Sequence, residues 1–227
     1  MYRCLKGGIA MTAITISREI GSQGDWIAEQ TAQRLGYHLV NKHTLERIFQ
    51  QRGFVDFEET YDMSGFWARF SPHRGELVTM LDRFIHALAA HGDVILVGRG
   101  GFTTLKDFAD VLNVRIQAPI LMRIEQVMGE RNLTEIPVAD ELVREQDHIR
   151  EDFLQTAYGH RWNTAGAFDL VIDTGKIPPK VAVNWLVESA QNLGEKKIKT
   201  QKLCRELEID PDLAKTIEEV LSRELAI

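Results

Sequence analysis

Ile14-Thr15-Ile16-Ser17-Arg18-Glu19-Ile20-Gly21-Ser22-Gln23-Gly24-Asp25 is the stretch on which the fold of this chain turns. It reads as a short apolar strand, a glycine-punctuated turn and the opening of an amphipathic helix. Ile27, Ala28, Thr31, Ala32 and Leu35 continue at helical spacing, and Gly36 supplies the stop. A strand, a glycine turn and a helix in that order cradle phosphate, because a helix N-terminus leaves backbone N–H groups unpaired and carries partial positive charge. Ser17, Arg18, Gly21, Ser22, Gln23, Gly24 and Asp25 are therefore candidate phosphate-binding residues. The common pattern G-x-x-x-x-G-K-[ST] is nevertheless absent. Gly24 stands where the lysine belongs, and Arg18 where the first glycine belongs.

Outward from this loop, strand and helix patterns alternate, which predicts a parallel sheet covered by helices. Strands are expected at Ala13–Ile16, Tyr37–Val40, Val94–Val97, Val111–Gln117 and Leu170–Asp173. Val94-Ile95-Leu96-Val97 is a continuous apolar run, suited to a strand buried on both faces. Helices are expected at Asp25–Leu35, His43–Gln51, Glu76–Ala90, from Pro119 to about Asn132, from Val138 to about Tyr158, and at Pro178–Asn192. Asp210-Pro211 caps a last amphipathic helix. The domain reading is a flexible N-terminus over 1–11, one α/β domain over 12–194 and a helical tail over 195–227. Gly53 to Gly75 is aromatic-rich, with Phe54, Phe57, Tyr61, Phe66, Trp67 and Phe70. It reads either as a loop packed on the core or as a substrate-binding insertion that moves. The tail is basic at first and then amphipathic, so it either docks in cis or mediates a homodimer.

The 227 residues, 44% hydrophobic and 26% charged, suit one mid-sized globular domain with no need of covalent staples. A net charge of −6 argues against general nucleic-acid binding. The two cysteines, Cys4 and Cys204, form no CxxC or disulfide pattern, which fits a reducing cytoplasm. No apolar run reaches the length of a membrane helix, and the scattered histidines offer no zinc spacing.

Two further signals converge on the loop. Val97-Gly98-Arg99-Gly100-Gly101 follows a buried strand directly, and in open parallel sheets ligands sit beyond the carboxyl ends of the strands. Arg99 and Arg18 are thus expected to point into one crevice. The second signal is the run of arginines after the fourth strand: Arg123 and Arg131, then Arg144 and Arg150, then Arg161. Arg144, Asp147 and Glu151 share a helix face. These residues form either a solvated face with internal ion pairs or a mobile lid whose guanidinium groups clamp phosphoryl oxygens.

The loop Ile14 to Ser22, the segment from Ala28 to Leu39 with Arg34-Leu35-Gly36-Tyr37, Val97-Gly98-Arg99-Gly100 and Val171-Ile172-Asp173-Thr174, in this order, resemble the cytidylate kinase-like family, a divergent branch of the nucleoside monophosphate kinases. The resemblance covers about Thr12 to Leu193. It implies a P-loop kinase fold: a five-stranded parallel sheet flanked by helices, a monophosphate-binding insertion (about 52–76) and a helical lid (about 131–162). It also implies transfer of a phosphoryl group from ATP to CMP or dCMP with Mg²⁺. By position, Gly21, Ser22 and Gly24 would line the phosphate loop, and Arg99 matches the arginine where the monophosphate binds. Arg123, Arg144, Arg150 and Arg161 fall near the family's lid arginines.

The chain departs from a standard cytidylate kinase in three places. The loop lysine is Gly24 or Asp25, the Mg²⁺-holding threonine is replaced near Trp26, and Val97-Gly98 stand where an acidic residue is found. Arg18 is then expected to replace the lysine's charge from the other end of the loop, and Asp25 or Glu19 to hold the ion. On this reading Arg18, Arg144, Arg150 and Arg161 are the catalytic group, and the partners are small-molecule nucleotides. The rival reading is a catalytically inactive nucleotide- or phosphate-binding regulatory protein on the same fold.

Overall fold

The computed structural model describes residues 13–53, 74–159, 165–193 and 202–224. Five parallel strands form one sheet in the order β2-β3-β1-β4-β5. They are β1 (Ala13–Arg18), β2 (His38–Val40), β3 (Val94–Val97), β4 (Val111–Gln117) and β5 (Leu170–Asp173). The expected five-stranded parallel sheet is present. β1 runs two residues further than its apolar run, because Ser17 and Arg18 keep register with Arg115 and Ile116 of β4.

The helices are α1 (Gly24–Leu35), α2 (Lys42–Gln51), α3 (Arg74–His91), α4 (Gly101–Thr104), α5 (Ile120–Arg131), α6 (Ile136–Tyr158), α7 (Pro179–Leu193) and α8 (Pro211–Glu224). Local chemistry sets several boundaries. The Asn41 side chain accepts from His43 N–H and Thr44 N–H at 2.9 and 3.2 Å and opens α2. Asp210 accepts from Leu213 N–H at 2.8 Å and opens α8. Pro119, expected as the first residue of α5, instead sits just before it in extended geometry. The one-turn helix α4 has no counterpart among the sequence expectations, since four residues show no period.

The pleat sorts alternate strand residues onto two faces. Ile14 and Ile16, Ile95 and Val97, and Leu112, Val114 and Ile116 pack with Ile27 and Ala28 of α1 and Ala182, Val183 and Leu186 of α7. Ala13, Val94, Leu96 and Val111 face α2, α3 and the end of α6. On this second face the polar strand residues find one another: Thr15 Oγ1 donates to Asn113 Oδ1 at 2.7 Å.

The tail closes this same face. Leu213, Ile217, Val220 and Leu221 of α8 join the core formed by α2 and α3. The buried Asp110 carboxylate accepts from Cys204 N–H at 2.8 Å and Arg205 N–H at 3.4 Å. Burial beside Asp110 pushes the Cys204 thiol up, so it stays protonated and inert. The residues 54–73 that carry the expected insertion, the N-terminus and the basic stretch 194–201 lie outside the described residues.

Candidate functional site

β1 and β3 are neighbours, with Ile16 opposite Val97, and Gly98 N–H bonds to Ile16 C=O at 2.9 Å. The segments following the two strands therefore leave the sheet side by side at its carboxyl edge, where the crevice rule places a ligand. The loop from Glu19 to Gln23 is braced from inside. Ser22 is fully buried, and its N–H and hydroxyl both point at Glu19 C=O, at 3.3 and 2.7 Å. Gly21 sits at φ +74°, and a Cβ there would come 2.5 Å from the Arg123 carbonyl oxygen, so the loop rests on the first turn of α5. Gln23, also left-handed at φ 60°, precedes α1 without capping it and instead donates to Gln126 Oε1 at 3.2 Å. The start of α1 thus receives no side-chain cap from Gln23.

Arg18 crosses this crevice. A Cβ on Gly24 would come 2.4 Å from Arg18 Cβ, and a Cβ on Gly98 would come 2.8 Å from Arg18 Nη1. Two glycines, one opening α1 and one following β3, thus provide the groove in which the arginine lies. Its Nη2 and Nε reach Asp25 Oδ1 at 2.9 and 3.0 Å, and the Asp25 side chain is 66% exposed. Beyond Gly98, Arg99 takes φ 59° between two left-handed glycines, Gly98 at 78° and Gly100 at 73°.

Arg150 of α6 completes the cluster. Its burial, joined by the like charges of Arg18 and Arg99, pulls its pKa down to about 10, against the opposing pull of Asp147 and Asp25. The like charges are offset in part by Asp25 and Asp147, and the group is a candidate anion site. The structure thus brings Arg18, Arg99 and Arg150 together from β1, the β3 loop and α6.

Behind them runs a buried ion network. Glu19 Oε1 accepts from Arg115 Nη2 at 3.0 Å, and Glu19 Oε2 accepts from Ala118 N–H at 3.1 Å and lies 3.6 Å from Arg123 Nε. Arg123, with a side chain only 6% exposed, donates to Asp147 Oδ2 at 2.6 Å, and Asp147 Oδ1 lies 3.8 Å from Arg150. Burial lowers the Arg115 pKa although Glu19 works the other way. Arg115 is a site-supporting residue that the sequence reading passed over. The signal was present, as a charge within the apolar run Val111–Gln117 requires a buried partner.

The remaining candidates fall elsewhere. Arg144 projects from α6, 66% exposed, onto Asp140 at 2.9 Å, outside the cluster. Arg161 lies outside the described residues. Ser17 is buried at the end of β1. Among the described residues no group of three or more His, Cys, Asp or Glu could hold a metal ion. Glu19 is committed to two arginines, whereas Asp25 faces solvent at the loop. Mg²⁺ is commonly held by one or two carboxylates together with substrate phosphates and water, so a single Asp25 fits an ion carried in by a nucleotide. Beside the loop, a cavity of about 440 Å³ opens between Gly21, Gln23, Met122, Gln126 and Thr174. Among the described residues no helix is long and apolar enough to cross a membrane.

The model of the cytidylate kinase-like family matches residues 13–176. A cytidylate kinase of Pyrobaculum aerophilum is 27% identical over 173 residues, covering 76% of this chain and 89% of that one. A cytidylate kinase of Pyrobaculum neutrophilum is 25% identical over the same length. A uronate isomerase of Corynebacterium glutamicum is 31% identical over 97 residues, but the match spans 42% of this chain and only 18% of that protein. Among solved structures, an uncharacterized protein from Eubacterium ventriosum superposes with a TM-score of 0.57 at 18% identity, over 80% of this chain and 99% of that one. Its likeness concerns the fold alone. With this sheet order, this loop and a match running from β1 past β5, the chain belongs to the cytidylate kinase-like family and has the P-loop kinase fold.

Proposed function

We propose that the protein transfers a phosphoryl group from ATP to a nucleoside monophosphate, with CMP or dCMP as acceptor. The observation that carries this reading is the placement of Arg18 in a groove made by Gly24 and Gly98, beside Arg99 and Arg150. The chain lacks a lysine at the end of the loop, and Arg18 brings a permanent cation to the same crevice from the loop's beginning. Donor phosphates would lie on the first turn of α1 and Arg18. The acceptor phosphate would lie on Arg99, and Arg150 would close over the transferred group. Phosphoryl transfer needs mostly positioning and charge neutralisation, which three converging guanidinium groups supply. Mg²⁺, when brought in with ATP, would offset charge on the donor phosphates, with Asp25 within reach. The cavity beside Gly21 and Thr174 has the size and mixed lining of a small-molecule pocket and suits the donor nucleoside. The cytidylate kinases among the relatives support the choice of acceptor.

One observation favours a second reading, a nucleotide-binding protein without turnover. Arg18 is already ion-paired with Asp25, so a donor phosphate must displace that carboxylate. A coupled assay over a panel of monophosphates with ATP and Mg²⁺, alongside calorimetric binding of ATP and CMP, separates the two. Turnover on CMP or dCMP establishes the kinase. Binding of both nucleotides without turnover establishes the second reading. Absence of binding overturns both.

A further inference from the structure

Gly98, Arg99 and Gly100 are three successive left-handed residues, and the middle one is not glycine. A lone arginine at φ 59° is strained, and such a conformation persists where its surroundings over-determine it. The surroundings here are specific. Gly100 lies against the ring of Tyr158, so closely that a Cβ would come 2.3 Å from Tyr158 Cε2. Tyr158 is the last residue of α6, the helix that carries Asp147 and Arg150. Its hydroxyl donates to Asp82 Oδ1 at 3.1 Å. Thr104 Oγ1 donates to the same oxygen at 2.7 Å. Thr104 ends α4, whose Thr103 and Thr104 N–H groups bond back to Gly100 C=O at 2.8 and 3.1 Å.

One carboxylate oxygen on α3 therefore gathers the end of α6 and the end of α4, and the strained turn lies between them. The geometry points to Asp82 and Tyr158 as positioning residues. They fix the Gly98-Arg99-Gly100 turn and tie it to α6, so that Arg99 and Arg150 reach the crevice in a set relation. The assignment rests on the proposed role of Arg99 as the acceptor-phosphate group. Hydrogen bonds to a charged acceptor are stronger than neutral ones, and α4 is too short to hold its own geometry.

The test uses the full chain and four variants: Asp82→Ala, Asp82→Asn, Thr104→Val and Tyr158→Phe. The last keeps the ring on Gly100 and removes the hydroxyl that bonds to Asp82. Two readouts are taken, amide hydrogen exchange at residues 101–105 and calorimetric affinities for CMP and for ATP. Tyr158→Phe is expected to speed exchange at Thr103, Thr104 and Leu105 about tenfold, the size expected for one lost charge-assisted bond, and Asp82→Ala, which loses two, by more than that. CMP affinity is expected to fall about tenfold as well, with ATP affinity within about twofold. Asp82→Asn keeps an acceptor oxygen and should restore most of both. Unchanged exchange at 101–105 in folded Tyr158→Phe and Thr104→Val overturns the inference. So does a parallel loss of ATP and CMP affinity, which a merely structural role would produce. If the unmodified protein binds no monophosphate, the proposed function fails on that result, and exchange alone then decides the positioning role.

Discussion

Arg18 and Gly24 are packed so closely that a Cβ at position 24 would lie 2.4 Å from Arg18 Cβ. No positive φ is imposed on Gly24, so its missing side chain answers a steric demand from Arg18 rather than a backbone one. The two residues are a matched pair. The bare position 24 leaves room for the base of the Arg18 side chain as it leaves β1.

This pairing predicts non-additivity. Gly24→Ala should destabilise the protein by about 1–3 kcal/mol, the range for overpacking a tight contact. In an Arg18→Gly background the same substitution should cost much less, because the Cβ and Cγ it would strike are gone. Urea unfolding of the four proteins of the cycle checks this. Equal costs in both backgrounds would show that Gly24 serves something other than Arg18.

For ligand binding, Arg18→Ala should weaken ATP affinity at least about a hundredfold, in keeping with loss of a desolvated cation–phosphate contact. Arg18→Lys should recover only part of it, since a point charge does not reproduce a guanidinium fork. Calorimetry with ATP and Mg²⁺ reads both. An Arg18→Ala variant that binds and turns over normally would remove Arg18 from the mechanism.

The Arg123–Asp147 pair ties α5 to α6 at 2.6 Å, with Arg123 almost fully buried. Removing one partner of such a pair leaves a buried charge uncompensated. Asp147→Ala should therefore cost about 3 kcal/mol, the low end for such a break, since Glu19 still lies 3.6 Å from Arg123. Denaturant midpoints at constant slope measure it. Asp140→Ala, which breaks only the exposed pair with Arg144, should change stability by less than about 0.5 kcal/mol.

At the far end of β2, His38 stacks edge-on with His91 at 5.8 Å, and its buried Nδ1 has no hydrogen-bond partner among the described residues. Burial, aided by the charge of His91, lowers the His38 pKa, with Glu218 and Asp93 pulling the other way. The unfolded chain then binds a proton that the folded chain resists, so stability must fall as pH drops below about 6.5. Glu218, lowered by its hydrogen bond from His91, adds a loss of the same sign at more acid pH. Unfolding free energies from pH 8 to 5 should decline in the unmodified protein and flatten in His38→Phe. A slope unchanged by the substitution would exclude His38 as its source.

Arg150 supplies a signature at the other end of the scale. Its pKa of about 10 reflects burial beside Arg18 and Arg99, and a bound phosphate raises it again. Phosphate affinity should accordingly be flat from pH 8 to 9 and weaken as pH climbs through about 10. Titration calorimetry with inorganic phosphate reports this, and Arg150→Ala should remove the dependence together with part of the affinity.

What the sequence determined by itself is the layered frame. β3 follows from an uninterrupted apolar run, β4 and β5 from mostly apolar stretches between turn residues, and α1 from its period and from Gly36. Both are local patterns, and burial enforces them. The loop and the Gly98-Arg99-Gly100 turn were also legible, because glycines at the ends of strands mark close approach. Only the tertiary structure decided which charges meet. Arg144 and Arg150 lie on one helix and read alike, yet one faces Asp140 in solvent and the other sits beside Arg18 and Arg99. Glu19 looked like an ion ligand from its place in the loop, but the register of β4 against β1 sets Arg115 beside it. Asp82, Thr104 and Tyr158 carry no motif and are far apart in sequence, and they converge only when α3, α4 and α6 pack. Periodicity is a property of neighbours along the chain, whereas an ion pair or a shared carboxylate oxygen depends on angles between elements, which the packing of the whole sheet and its helices fixes.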